Sequence, residues 1–437
     1  MRIQSRMFFS FVALLLLGVA LLSLSYNAYR QKAAGSSVTI DLSTPEMTSQ
    51  FSTGATHTQN DNVSYTTSGK QLLQSALVYQ NVFMMGWGSE NPEPSPGSYD
   101  WGDLDARVQH MRDTGATMMI SLCCAPDWMK GGQPGETDWS KLTDAPLPDN
   151  YADFAELAKQ VALRYRDVKY FQVWDEMKGF WSDSLNRWNY EGYTQMYNVV
   201  YDAIKSVRPD AKIGGPYVNI ASSATYPAST PAERSLDQSA LAVLSYWLSH
   251  KHGADFMVLD GGPGPRDDVR NSGVTNEFAA GQFYADAANW IRKQPGGETL
   301  PIGWAEWYPG SSQDWNELDH FNAVMANDMI YTLKSGAFYA FPWGTQGDSN
   351  GFNLPETIMT SQGQPTPQYY TLKAFKDYFG PGTKLFKATS SSPDTTVLAS
   401  SAKTMLVNHL GSSQTVNVNS TQVTLQPFQV LVIDTPA

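Results

Sequence analysis

The chain has 437 residues, enough for one large α/β unit with a smaller companion. Its 30 Lys and Arg stand against 42 Asp and Glu for a formal charge of -12, and no basic cluster follows the N-terminal segment, which argues against nucleic acid and other strong polyanions as partners. The two cysteines, Cys123 and Cys124, are adjacent and tie no distant parts together; they read as buried free thiols in preference to a vicinal ring, which leaves stability to core burial.

At the N-terminus, Arg2 and Arg6 precede an uncharged apolar run over residues 7–24. That run exceeds the roughly 7 to 15 residues of a signal-peptide core, approaches the length of a spanning helix, and has no clear small-x-small cleavage site after it. An uncleaved anchor is the favoured reading over a cleaved signal, and either leaves the protein exported, at the cell surface or secreted. A Ser/Thr-rich linker follows, so residues 1–36 form the segment and linker, 37–380 the main domain, and 381–437 a small second domain.

Within the main domain, residues 50–58 read as a first strand with His57 near its end, and 82–87 as a second, closed by the Gly/Pro cluster at 88–97. Residues 101–114 form a helix stopped by Gly115. Strand 117–123 leads to Ala125-Pro126-Asp127-Trp128, and helix 151–164 carries Phe154, Leu157, Ala158 and Val161 on one face. Strand 170–174 runs straight into Asp175 and Glu176. Helix 190–207, strand 212–215 opening at Pro216-Tyr217, helix 241–250 and strand 256–259 ending at Asp260 follow. Helix 276–292 precedes strand 302–305, which delivers Glu306, Trp307 and Tyr308. Helix 321–333, strand 337–341 before Trp343, and helix 369–379 complete the domain. Eight strands alternating with helices predict parallel pairing and a closed (β/α)8 TIM barrel, with its site at the strands' C-terminal ends. Beyond the Gly380-Pro381-Gly382 turn, short strands at 395–400, 404–408, 415–419, 422–425 and 428–433 predict a small C-terminal β-sandwich, to which residues 38–42 add a strand.

In such a barrel the ends of the fourth and seventh strands meet on one face, which brings Glu176 and Glu306 across a cleft from each other. Retaining glycoside hydrolysis needs this pair: one carboxylic acid to protonate the leaving oxygen, and one carboxylate about 5 to 5.5 Å away to attack the anomeric carbon. Glu176 is assigned as acid/base and Glu306 as nucleophile. His57, Trp87, Asp127, Trp128, Tyr217, Trp304, Tyr308 and Trp343 stand at or near strand ends and are candidates for sugar contact, with a buried structural role the alternative for each. Phe180 and Trp181 follow the acid/base and are candidates for a subsite wall, and Lys178 for pairing with an acid there. No metal is expected, because the six His show no paired spacing with acids, and no cofactor is implied. Nucleophilic Ser or Cys chemistry has no motif.

On these motifs the chain resembles clan A of the retaining glycoside hydrolases, and most of all family 39 and its relatives. The resemblance covers roughly residues 45 to 380 and implies a glutamate acid/base after the fourth strand, a glutamate nucleophile after the seventh, and an oligo- or polysaccharide substrate. It also implies Asn before the acid/base, holding the sugar 2-hydroxyl. This chain has Asp175, which when ionised cannot donate, and which beside Glu176 tends to raise one of the two pKa values. At the sixth strand, where relatives often present an aromatic, it has Asp260-Gly261-Gly262. The expected activity is a retaining β-glycoside hydrolase; the alternative is a non-catalytic glycan-binding or polysaccharide-assembly protein on the same scaffold.

Overall fold

A computed structural model of the protein describes residues 36–57, 62–222, 235–264, 276–310, 317–347 and 357–436. The apolar run at 7–24 and Thr58 of the first predicted strand lie outside the described residues. Among the described residues, no helix is long and apolar enough to cross a membrane.

The chain divides into two compact units: Glu46–Leu385, and Phe386 onward together with the chain before Glu46. The smaller unit is built on β1 (Ser36–Thr48) and holds a seven-stranded, mostly antiparallel, sandwich-like sheet. Val38 and Ile40 of β1 alternate inward and join Val397, Leu406, Val416, Val418 and Leu425 in one apolar core, so the strand read at 38–42 does enter this sheet.

The larger unit closes eight parallel strands into a barrel. They are β2 (Ser52–Thr56), β3 (Tyr79–Phe83), β4 (Thr117–Leu122), β5 (Tyr170–Val173), β8 (Lys212–Asn219), β9 (Phe256–Gly261), β10 (Ile302–Trp307) and β11 (Ala337–Ala340). Between β5 and β8 the two-residue strands β6 (Trp181–Ser182) and β7 (Arg187–Trp188) pair as a small hairpin. A helix follows each barrel strand among the described residues, from Thr67–Ala76 to Pro367–Tyr378. The predicted barrel is therefore present.

Its details differ from expectation in ways that have physical reasons. Helix Thr67–Ala76 escaped notice because it buries only Gly69, Leu73 and Ala76, too few apolar residues for a visible helical period; Thr66 caps it by accepting from the Gly69 N–H. The second strand starts at Tyr79 and ends at Phe83. Met84 and Met85 extend its apolar run in sequence and are fully buried, but they lie beyond the strand's end. The stretch 276–292 is two helices, Glu277–Ala280 and Gln282–Arg292, with Gly281 between them. Cys123 and Cys124, just past β4, are joined in a vicinal disulfide, which overturns the free-thiol reading.

Inside the barrel, polar side chains form a hydrogen-bonded belt. The Asn81 amide donates to Thr56 Oγ1 (3.1 Å), Ser121 to Asn81 Oδ1 (3.1 Å), Gln172 to Ser121 (3.1 Å), and the Tyr339 hydroxyl crosses the interior to Gln172 Oε1 (2.6 Å). These buried groups answer one another, so the barrel's middle layer carries polarity without orphaned donors. The candidate site sits on this belt.

Candidate active site

β5 is a short buried strand, and the chain leaves it through a tight turn. Trp174, Glu176 and Met177 take φ values of 76°, 44° and 60°, a region that side-chain-bearing residues rarely occupy. The turn is held from both sides: the Trp174 indole packs on Phe154 and Phe180 with ring centroids 5.5 and 5.9 Å away, and its N–H donates to the Lys178 carbonyl at 2.8 Å. Backbone outliers over-determined by packing in this way are a mark of functional sites. Here they point Asp175, Glu176 and Lys178 at one another.

β10 delivers the second glutamate. A register shift between Trp304 and Glu306 accompanies the pairing with β9, and Glu306 is buried. Two phenols hold its carboxylate: Tyr217 from β8 donates to Oε1 at 2.9 Å and Tyr308 to Oε2 at 2.7 Å. Gly262, just beyond β9, lies so close to the Tyr308 carbonyl that a Cβ there would collide with it, so the glycine is what seats Tyr308.

Glu176, Asp260 and Glu306 each place a carboxylate oxygen within 4.8 Å of the others. Lys178 supplies positive charge beside this cluster, with Nζ 2.5 Å from Glu176 Oε2 and 2.7 Å from Asp175 Oδ2. Asn219, from the end of β8, donates to Glu176 Oε1 at 2.9 Å and to Asp260 Oδ2 at 3.2 Å. Lys178 thus pairs directly with two of four clustered carboxyl groups.

Burial raises the carboxyl pKa values, and the contacts then decide between them. Asp260 and Glu306 are pushed well above the ordinary range by burial and by their charged neighbours. Asp175 is pushed up to about 6, chiefly by burial, against the pull of Lys178. Burial also acts on Glu176, but a hydrogen bond with Asp260, the Lys178 ammonium and the Asn219 amide outweigh it and hold the carboxyl at about 2. Burial and neighbouring charge therefore favour the neutral forms of Asp260 and Glu306, while Lys178 and Asn219 favour the charged form of Glu176.

Around this centre, the Trp87 ring lies 5.0 Å from Lys178 Nζ, packs on Phe83 at 4.5 Å, and meets Trp343 edge-on at 6.1 Å. Both indoles are partly exposed. The structure thus brings together Asp175, Glu176, Glu306, Tyr217, Tyr308, Trp87 and Lys178, with Trp343 beside Trp87.

Other candidates turn away. His57 is buried, its Nε2 2.8 Å from Gln80 Oε1 and its ring against His110, because the residue that faces the barrel interior at this level is Thr56. Asp127 ion-pairs with Lys130 at 3.1 Å and accepts from the Asp138 N–H, and Trp128 spends its indole N–H on the Glu93 carbonyl at 2.9 Å; both tie down their own loop. Trp304 is buried against Phe283 and Tyr284, on the helix side of the barrel. Phe180 is buried between Trp174 and Tyr193, whereas Trp181 remains 48% exposed on the β6–β7 hairpin, edge-on to Trp188.

Sequence reasoning missed Asn219, since the fifth strand was ended at Gly215. The strand continues to residue 219, and Tyr217 and Asn219, two apart, share the inward face. Asp260 reads from the sequence as a strand-end acid without a role; its contact with Asn219 is what brings it into the cluster.

No protein-family model and no curated protein matches this sequence. Solved structures do resemble it in fold. A monomeric β-xylosidase from Caulobacter crescentus is 16% identical, with a TM-score of 0.53 over 85% of this chain and 76% of its own. A family 39 glycoside hydrolase from the gut symbiont Bacteroides cellulosilyticus is 15% identical, with a TM-score of 0.58 over 89% of this chain and 79% of its own. The SrfJ protein from Salmonella typhimurium reaches 0.62 at 12% identity, over 91% and 92%. The likeness is one of fold: these solved structures share the eight-stranded parallel barrel with a separate β unit.

Proposed function

We propose that the protein is a retaining β-glycoside hydrolase acting on an oligo- or polysaccharide, with Glu306 as nucleophile and Glu176 as acid/base. The observation that carries this reading is the approach of Glu176 and Glu306 to within 4.8 Å, oxygen to oxygen, at the C-terminal ends of β5 and β10. That spacing suits direct attack on the anomeric carbon and leaves no room for the intervening water that inversion needs.

In the proposed first step, Glu306 attacks as a carboxylate while Tyr217 and Tyr308 hold its two oxygens. The C–O bond to the leaving group breaks, its electron pair departs with that oxygen, and Glu176 protonates it. In the second step Glu176, as carboxylate, takes a proton from water as the water oxygen displaces Glu306. Trp87 and Trp343 offer partly exposed ring faces to the sugar. Asp175 stands where relatives have an amide, and its partner Lys178 supplies the hydrogen-bond donors that Asp175 lacks.

Export is part of the proposal. The N-terminal apolar run supports it, and so does a disulfide, which persists in oxidising compartments. A glycan-binding role without turnover is favoured by one observation alone, the ion pair that Lys178 makes with the acid/base. The test uses the purified protein with a panel of aryl β-glycosides and polysaccharides. Turnover in the parent that is lost in Glu306→Gln, with azide restoring Glu176→Ala as a β-glycosyl azide, is the expected result. Glycan binding with no turnover in the parent would transfer the reading to the binding protein.

A further inference from the structure

The mechanism above leaves one buried carboxyl without a task. Asp260, at the end of β9, is fully buried, and Asn219 Nδ2 reaches both it and Glu176, at 3.2 and 2.9 Å, which sets the two carboxyls side by side. They also hydrogen-bond to each other. Two carboxyl groups make such a bond only when one of them carries the proton. Lys178 decides which. Its Nζ sits 2.5 Å from the other oxygen of Glu176 and favours charge there, while Asp260 has no cation in direct contact among the described residues.

We propose that Asp260 stores the proton that Glu176 delivers to the leaving group, which makes it a positioning residue of the acid/base. This rests on the hydrolase reading. In the first half-reaction the Asp260 carboxyl passes its proton to the Glu176 carboxylate. Glu176 then protonates the glycosidic oxygen as the C–O bond breaks, while a Glu306 oxygen bonds to the anomeric carbon. In the second half Glu176 takes a proton from the attacking water, the Glu306 ester bond breaks, and the proton returns to Asp260. One water is consumed and every carboxyl recovers its starting state. The charged and titratable groups around the pair are Asp175 and Lys178 after β5, Tyr217 on β8, and Glu306 and Tyr308 at the end of β10. None of these besides Asp260 shares a hydrogen bond with Glu176 while holding a proton it can give up at neutral pH, since Lys178 is held above its ordinary pKa by its acidic neighbours despite burial.

The store predicts that Asp260→Asn steepens the dependence of kcat/KM on leaving-group acidity. Glycosides with poor leaving groups should lose about 10²-fold or more, the usual worth of general acid catalysis, and those with strongly acidic leaving groups far less. The alkaline limb of kcat/KM should also move to lower pH, because Glu176 would have to keep its own proton beside Lys178; Asp260→Glu should restore both features. Equal losses on all leaving groups would mark Asp260 as merely structural and overturn the idea, as would no loss on any. Where Asp260→Asn does not fold, or where the parent turns over no substrate, the infrared spectrum of the folded parent at neutral pH gives the answer without substrate. A protonated-carboxyl C=O band that shifts in Glu176→Gln and is insensitive to Glu306→Gln supports the store. No band coupled to Glu176 overturns it.

Discussion

The two ends of the barrel solve the problem of a crowded interior in opposite ways. At the N-terminal end of the strands Tyr79, Tyr170, Phe256, Phe338 and Tyr339 stack edge to face, with centroids 5.5 Å apart for Tyr79–Tyr170, 5.8 Å for Tyr170–Phe256 and 5.7 Å for Phe256–Phe338. Ring edges meet ring faces, which is the favoured aromatic geometry, and Gly303 leaves room for the Tyr339 ring. At the C-terminal end four carboxyls share one ammonium, which pairs with Asp175 and Glu176, Asn219 Oδ1 is buried without a partner, and the chain runs through left-handed φ at Trp174, Glu176 and Tyr217. The floor stabilises the barrel, and the rim holds groups that destabilise it. Such polarity persists where chemistry needs it.

That contrast is broken most severely at the rim by Glu306→Gln. Turnover should disappear while thermal unfolding stays level or moves to higher temperature, because an amide replaces a carboxyl whose ionisation burial opposes. A fall in melting temperature of the size seen for core truncations would instead make Glu306 a structural residue. The floor should answer in reverse. Phe256→Ala removes a fully buried ring that contacts Tyr170, Phe338 and Tyr339, so denaturant unfolding should show a loss of about 3 to 5 kcal/mol. The folded fraction should keep the parent's pH profile, and an altered profile would show that the two ends are coupled.

Smaller effects should come from the counter-charges. Glu306 has to be ionised to attack, and the Asp175 carboxylate opposes that ionisation. Asp175→Asn should therefore move the acidic limb of kcat/KM to lower pH by about one unit. Glu176 has to be protonated to act as acid, and Lys178 favours its charged form. Lys178→Met should move the alkaline limb to higher pH, again by about one unit. Both shifts are read from pH–rate profiles on one substrate, and limbs that stay in place would mean that these two residues do not tune the glutamates.

The barrel was legible because its strands are short apolar runs ending at turn residues, and Glu176 and Glu306 were legible because each acid interrupts such a run. The sharing of protons was legible only in part: Lys178 reads as a partner for an acid two or three residues away, but the contacts of Asn219 with Glu176 and Asp260, 43 and 41 residues distant, leave no periodic trace. His57 and Asp127 show the same limit from the other side. Each stands near a strand end like a site residue, yet a rotation of one position around the strand, or an ion pair three residues on, turns it away from the cleft.

The finest test of the contrast is the pH dependence of folding. Asp260 and Glu306 have folded pKa values raised well above the ordinary carboxyl range of about 4. Below that value both states hold the protons, and the contribution of these groups to stability is fully present. As pH rises, the unfolded chain releases protons that the native cluster retains, so stability declines by up to about 1.4 kcal/mol per pH unit for each such group until its folded pKa is reached. Asp175, raised to about 6, adds to the decline over a narrower span. Glu176 acts with the opposite sign: held at about 2, it contributes stability present above the unfolded value and lost only as pH falls toward 2. Urea midpoints at constant ionic strength should accordingly fall between pH 5 and pH 8, and the fall should be smaller in Glu306→Gln and in Asp260→Asn. A slope that survives in both variants would locate the excess protons elsewhere, with buried Asp328, whose pKa burial also raises, the next group to replace.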